Sequence, residues 1–237
     1  MKKYGLIGRK LGHSLSQELF EAQGFEDACY GLYEMGTLEG LRQWVKDEQI
    51  CGFNVTIPYK QEILPLLDTI DDTAAEIGAV NCVSVEDGRL IGHNTDSPAF
   101  RETLADMPRG AALILGTGGA ARAVTHALKQ LGTDYVFVSR HPERATVKPV
   151  IGYDEIMAGY SVIINATPVG MYPEVNNTPI DISSLAPIPS PCLVYDLIYN
   201  PSTTLLMRQA EEHGARVKNG LEMLRKQAEL SWRTWGL

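Results

Sequence analysis

Ala111-Ala-Leu-Ile-Leu-Gly-Thr-Gly-Gly-Ala-Ala121 is the stretch on which the reading of this 237-residue chain turns. The run into Leu115 is apolar throughout, as a strand buried on both faces of a parallel sheet requires. Gly116, Gly118 and Ala121 then spell G-x-G-x-x-A, and a helix is expected from Ala120 to Leu131. Gly116 permits a tight turn, Gly118 lets backbone approach a pyrophosphate, and Ala121 allows close packing of helix on strand. Backbone N–H groups of Gly119 and Ala120 at the helix start would hold the phosphates. Strand, glycine turn and helix in this order point to a dinucleotide site rather than a purely structural turn.

Further on, Tyr135 to Val138 reads as the second strand of the unit. Sites that select NAD place an acidic residue near its end, roughly 20 residues after the glycines. Here the strand leads into Ser139-Arg140-His141, with Arg144 following. Guanidinium groups bind phosphate bidentately and a serine hydroxyl adds a donor, so Ser139, Arg140 and Arg144 point to NADP. The alternative is a pair of solvated surface arginines. Ser161 to Asn165 and Leu193 to Asp196 read as further strands. Gly220 to Trp235 reads as a helix with Leu221, Leu224, Ala228 and Trp232 at helical spacing.

Before the glycine turn, strands and helices also alternate, which makes the whole chain α/β. Strands are expected at Lys3 to Ile7, Cys51 to Ile57, Ala79 to Val85 and around Leu90, and helices at Ser16 to Ala22, Leu38 to Asp47, Lys60 to Ile70 and Pro98 to Leu104. A boundary falls near Asp96 to Pro98. It divides the chain into residues 1–97, joined by the C-terminal helix 220–237, and residues 98–219.

With 21 basic and 29 acidic side chains the net charge is −8, and no basic cluster offers a nucleic-acid or anionic-membrane surface. No apolar run reaches the ~18 residues of a membrane span. Arg9 and Lys10 interrupt any signal-peptide core. Four scattered cysteines (Cys29, Cys51, Cys82, Cys192) read as reduced thiols of a cytoplasmic protein. Five histidines, His13 among them, lack metal-ligand spacing, so no metal is expected.

Cys51-Gly-Phe-Asn-Val-Thr-Ile57 alternates, with Phe53, Val55 and Ile57 on one face and Asn54 and Thr56 on the other. The polar face suits a hydroxylated ligand or a wet edge strand. Ser14 and Ser16 could both donate to a carboxylate, or Ser16 could cap a helix. Asn81 and His93-Asn-Thr-Asp96 put further polar groups near strand ends, where open α/β sheets bind ligands.

Over nearly its whole length the chain resembles the shikimate dehydrogenase family. The resemblance is carried by Ile7-Gly8 through His13-Ser-Leu-Ser16, Gly52-Phe-Asn-Val-Thr-Ile-Pro-Tyr-Lys60, Gly78-Ala-Val-Asn81 and Gly92-His-Asn-Thr-Asp96. It continues in Gly116 to Ala121, Asn165-Ala-Thr-Pro168, Tyr195-Asp196, Tyr199-Asn-Pro201, Asn219-Gly-Leu-Glu-Met223 and Gln227. The resemblance implies reduction of 3-dehydroshikimate to shikimate with NADPH, a step towards chorismate and the aromatic amino acids. It implies an N-terminal three-layer α/β substrate domain, a Rossmann-type NADP domain, and a C-terminal helix packing back on the first.

Lys60 and Asp96 would be the catalytic pair. Ser14, Ser16 and Tyr199 would hold the substrate carboxylate, and Asn54, Thr56, Asn81 and Gln227 the ring hydroxyls. Gly116, Gly118, Gly119, Ala120, Ala121, Ser139, Arg140, Arg144, Thr167 and Gly220 would hold NADP. Gln17 and Tyr59 depart from the family pattern and could reshape the pocket. The alternatives are a quinate/shikimate dehydrogenase using NAD or NADP, and a non-catalytic NADP-binding sensor. Monomer and homodimer both remain open.

Overall fold

A computed structural model describes residues 1–12, 14–185 and 187–237; His13 and Ala186 fall outside it. Two compact units emerge, Met1–Ala99 with Leu224–Leu237, and Phe100–Met223.

In the first unit the chain runs β1 (Lys2–Gly8), α1 (Ser16–Glu21), β2 (Ala28–Glu34), α2 (Leu41–Asp47), β3 (Ile50–Val55), α3 (Tyr59–Glu62), β4 (Thr69–Ile70), α4 (Asp72–Ile77), β5 (Cys82–Glu86) and β6 (Arg89–His93). Helix α5 (Asp96–Glu102) leaves it. The sheet has the order β2-β1-β3-β5-β6-β4, parallel except where β5 meets β3 and β6.

Both faces of this sheet are covered. On one, Ile7, Phe53, Val55 and Val83 pack with Leu41 and Val45 of α2, Tyr59 of α3 and Ala74 of α4. On the other, Tyr4, Leu6, Tyr30 and Cys82 pack with Phe20 of α1 and with Ala228, Trp232 and Trp235. The last three belong to α8 (Leu221–Thr234) and its exit. Tyr4 stacks on Trp235 with ring centroids 4.8 Å apart. The unit therefore has three layers, and residues near both ends of the sequence build one core.

The second unit contains β7 (Ala112–Leu115), α6 (Gly119–Gln130), β8 (Tyr135–Val138), β9 (Val150–Ile151), β10 (Val162–Asn165), β11 (Leu193–Asp196), α7 (Leu205–Glu212) and β12 (Arg216–Lys218). All six strands are parallel in the order β12-β11-β10-β7-β8-β9. The order reverses between β7 and β10, and open α/β sheets bind ligands at such a reversal. No α-helix crosses between β8 and β10 among the described residues; two single turns at Pro142–Arg144 and Tyr153–Glu155 stand there.

Several expectations are corrected. The helix expected over Lys60 to Ile70 stops at Glu62, because Pro65 lacks an N–H and forces a 3₁₀ turn at Leu64–Leu66, after which the chain extends into β4. Helix α2 starts at Leu41 rather than Leu38, since Gly40 is left-handed at φ 75°. Ile57 does not share the buried face of Phe53 and Val55: β3 ends at Val55, and Ile57 is 55% exposed. The sequence reading missed β2, β4, α4, β9, α7 and β12.

Candidate active site

Local sequence places each polar group of the first unit. Strand β3 ends at Val55, and the turn that follows is closed by the Tyr59 N–H donating to the Thr56 carbonyl, so Lys60 lies in the first turn of α3. Asp71 caps α4 by accepting the Ala74 N–H at 2.6 Å, and left-handed Gly78 ends it. The chain then returns through Ala79 and Val80 to Asn81, pinned by the Val80 N–H on the Lys60 carbonyl at 2.8 Å.

The centre of the site is a short ion pair. Lys60 Nζ lies 2.6 Å from Asp96 Oδ2, with side chains 15% and 6% exposed. Asn81 Nδ2 has three acceptors within reach of its two hydrogens, Thr95 Oγ1 at 2.8 Å, the other Asp96 oxygen at 3.1 Å and Gln227 Oε1 at 3.2 Å, while its Oδ1 accepts the Thr95 N–H at 2.7 Å. Asn54 is tied differently. Its Oδ1 accepts the Tyr30 hydroxyl at 2.8 Å, and its Nδ2 donates to the Asn81 carbonyl and to Ser231 Oγ at 3.1 and 2.8 Å. Both amide hydrogens of Asn54 are therefore committed, leaving one acceptor lone pair.

Lys60, Asp96, Asn54, Asn81 and Gln227 thus form one connected network, which also includes Thr95 and two residues that sequence reading missed, Tyr30 and Ser231. Thr56 is half-buried just beyond β3. Ser14 and Ser16 lie together, the Ser16 N–H donating to Ser14 Oγ at 3.2 Å. Ser16 is not the helix cap, because Leu15 holds that position. The two departures turn away from this network. Tyr59 is fully buried with its hydroxyl on the Met35 carbonyl, and Gln17 pairs with Glu21 along α1. His13 lies outside the described residues. Near the network, His93 Nδ1 lies 2.9 Å from Asp71 Oδ2. Burial pushes the Asp71 carboxyl up, but the His93 contact and the Ala74 N–H outweigh it and hold the group below its ordinary value.

In the second unit, Gly116 takes φ 101°, and a Cβ there would lie 2.9 Å from Thr167 Cγ2 and 3.3 Å from the Ala166 carbonyl oxygen. Only glycine fits. Gly118 has nothing within 4 Å of its Cβ position, so packing does not demand glycine there and the backbone is open to a ligand. Helix α6 begins at Gly119 with no side-chain cap on its N–H groups, and Ala120 follows. Ala121 is fully buried. Arg140 and Arg144 are exposed in the turn after β8, beside half-buried Ser139.

Thr167 is held against the glycine turn by its hydroxyl and N–H, which donate to Asn165 Oδ1 at 2.7 and 3.0 Å. Asn165 donates onward to Asp196 Oδ1 at 3.0 Å. Asp196 also accepts the Ile198 N–H at 3.0 Å and the Thr204 hydroxyl at 2.7 Å. Burial raises the Asp196 carboxyl above its ordinary value, against the lowering by these three donors. Gly220 donates its N–H to the Ile198 carbonyl, and a Cβ there would sit 2.0 Å from the Leu197 carbonyl oxygen. Tyr199 is half-buried just beyond this clamp.

The family profile described as the shikimate dehydrogenase substrate binding domain matches residues 6–83. A shikimate dehydrogenase (NADP(+)) of Caldicellulosiruptor bescii is 36% identical, over 98% of this chain and 89% of its own length. The chain belongs to the shikimate dehydrogenase family. Solved shikimate dehydrogenases superimpose along the full chain. That of Thermus thermophilus in complex with NADP(H) and shikimate is 34% identical, with a TM-score of 0.88 over 100% of this chain and 94% of its own. That of Peptoclostridium difficile is also 34% identical, with a TM-score of 0.88 over 100% and 92%. Among the described residues no helix is long and apolar enough to cross a membrane, and no group of His, Cys, Asp and Glu is placed to hold a metal ion.

Proposed function

We propose that this shikimate dehydrogenase reduces 3-dehydroshikimate to shikimate with NADPH, using Lys60 and Asp96 as its proton-handling pair. The carrying observation is the 2.6 Å contact between Lys60 Nζ and Asp96 Oδ2 in a largely buried setting. Residues 1–97 with 220–237 serve as the substrate domain, and 98–219 as the NADP domain. The uncapped start of α6, the left-handed Gly116 and the open backbone at Gly118 fit a pyrophosphate, with Ser139, Arg140 and Arg144 for the ribose phosphate. Gly119, Ala120, Ala121, Thr167 and Gly220 complete that site.

The bound nicotinamide supplies the hydride. Negative charge grows on the ketone oxygen as its carbon is reduced, and the Lys60 ammonium stabilises that charge and transfers a proton to it. One N–H of Lys60 is directed to Asp96, which leaves two for the substrate. Asp96, fixed by Asn81, holds the ammonium in place. Ser14, Ser16 and Tyr199 bind the substrate carboxylate; Thr56, Asn81 and Gln227 bind its hydroxyls. Asn54 contributes its remaining acceptor lone pair and fixes Ser231 and Tyr30.

The test is NADPH oxidation followed on addition of 3-dehydroshikimate, with quinate and NAD run in the reverse direction. Turnover with 3-dehydroshikimate and NADPH supports the reading. Absence of turnover despite demonstrated NADPH binding overturns it in favour of a non-catalytic NADP-binding protein.

A further inference from the structure

The turn that follows β8 holds a carboxylate as well as arginines. Glu143 Oε1 lies 3.5 Å from Arg144 Nε and 3.5 Å from His141 Nδ1. This turn is anchored on several sides. The Ser139 N–H donates to the Ile151 carbonyl at 3.0 Å, and Ser139 Oγ accepts the His141 N–H at 3.0 Å. The Arg122 guanidinium, from α6, donates to the Thr146 hydroxyl, and Val147 is buried. The segments on either side of Glu143 are thus anchored to β9 and to α6. Counting basic residues in the sequence leaves Arg144 unopposed; in the structure a carboxylate opposes it.

We propose that Glu143 is a specificity-determining residue for the cofactor, weakening the preference for a ribose 2′-phosphate over a free 2′-hydroxyl. The inference rests on the NADP reading above and deepens it. A 2′-phosphate carries about −1.5 to −2 charges near neutral pH. Arg144 faces Glu143 through Nε, so its two Nη groups can hold a phosphate bidentately while the carboxylate stays beside it, and the phosphate then shares the turn with a like charge. A free 2′-hydroxyl meets the opposite situation, because a carboxylate is the acceptor that NAD sites provide. The side chains of Glu143, His141 and Arg144 are 62%, 63% and 78% exposed, so their own pairing contributes little stability. The effect of Glu143 arises when a bound phosphate brings charge into the turn.

The experiment is Glu143→Gln in the full chain, with NADPH and NADH dissociation constants measured by nucleotide fluorescence at low and at raised salt. The ratio of the NADH to the NADPH constant should rise by about fivefold at low salt, by less at raised salt, with the thermal midpoint unchanged. A ratio that stays where it was, or constants that move together, overturns the role of Glu143. Failure of the unsubstituted chain to bind NADPH at all overturns the cofactor reading instead, so the two failures are distinguishable.

Discussion

At Lys60 the proposed chemistry depends on a single ammonium group held at a defined place. Its partner Asp96 is almost fully buried and receives a second hydrogen bond from Asn81, so neither side chain is free to rotate away. Replacing Lys60 with Met keeps the volume and removes the proton. Steady-state kinetics should then show kcat lower by about 10²–10⁴ with KM changed little, since the lost contact strengthens in the transition state. Near-full turnover by Lys60→Met would exclude this lysine as the acid. Lys60, Asp96 and Asn81 stand in short motifs that carry the family resemblance, which is how the sequence could nominate them together. Tyr30 and Ser231 were not nominated. They reach Asn54 across 24 and 177 positions, and no short pattern records a contact of that separation.

Among the elements, the glycine turn and α6 were the most legible, because one short run states an apolar strand, left-handed backbone and a helix start in succession. The structure adds why the first glycine is required: Gly116 combines φ 101° with the Thr167 methyl at 2.9 Å. Gly116→Ala should destabilise the fold by about 1–3 kcal/mol and weaken NADPH binding by at least about tenfold. Denaturant titration and nucleotide fluorescence would measure the two effects, and an alanine variant of unchanged affinity would argue against this turn as the cofactor platform.

Elements lost to sequence reading had weaker or hidden signals. In β2, Ala28-Cys-Tyr-Gly-Leu-Tyr33 has no polar face to alternate with its apolar one, and β12 is three residues long. Helices α4 and α7 carry capping residues, Asp71 and Thr204, whose side chains accept N–H groups as start signals predict. They are short enough that their apolar spacing says little.

The whole molecule consists of two sheets of different kind, one parallel throughout and one mixed, each with its own core. In the parallel one, a single buried carboxylate joins the ends of β10 and β11 to the start of α7. Because burial raises Asp196 above its unfolded value of about 3.9, it binds a proton more readily in the folded chain. Its contribution is fully present below the unfolded value and is lost as pH rises through the folded one. Asp196→Asn keeps the shape and has no such dependence. The stability of the parent relative to Asp196→Asn should therefore grow as pH is lowered from about 8 to about 4. Chemical denaturation across that range provides the check, and a difference that grows with rising pH would contradict the assignment.

Helix α8 gives the molecule an order of assembly. It supplies Ser231 and Gln227 to a network whose other members lie within the first 96 residues, and its Trp232, with Trp235 just past its end, closes the core over Phe20 and Tyr4. During synthesis the sheet of the first unit emerges early, yet Asn54 waits for a partner 177 positions later. Until then an apolar face and the polar site both stay open to solvent, and the entire second unit has time to fold. The first unit therefore completes both its aromatic core and its polar network only once α8 has been made.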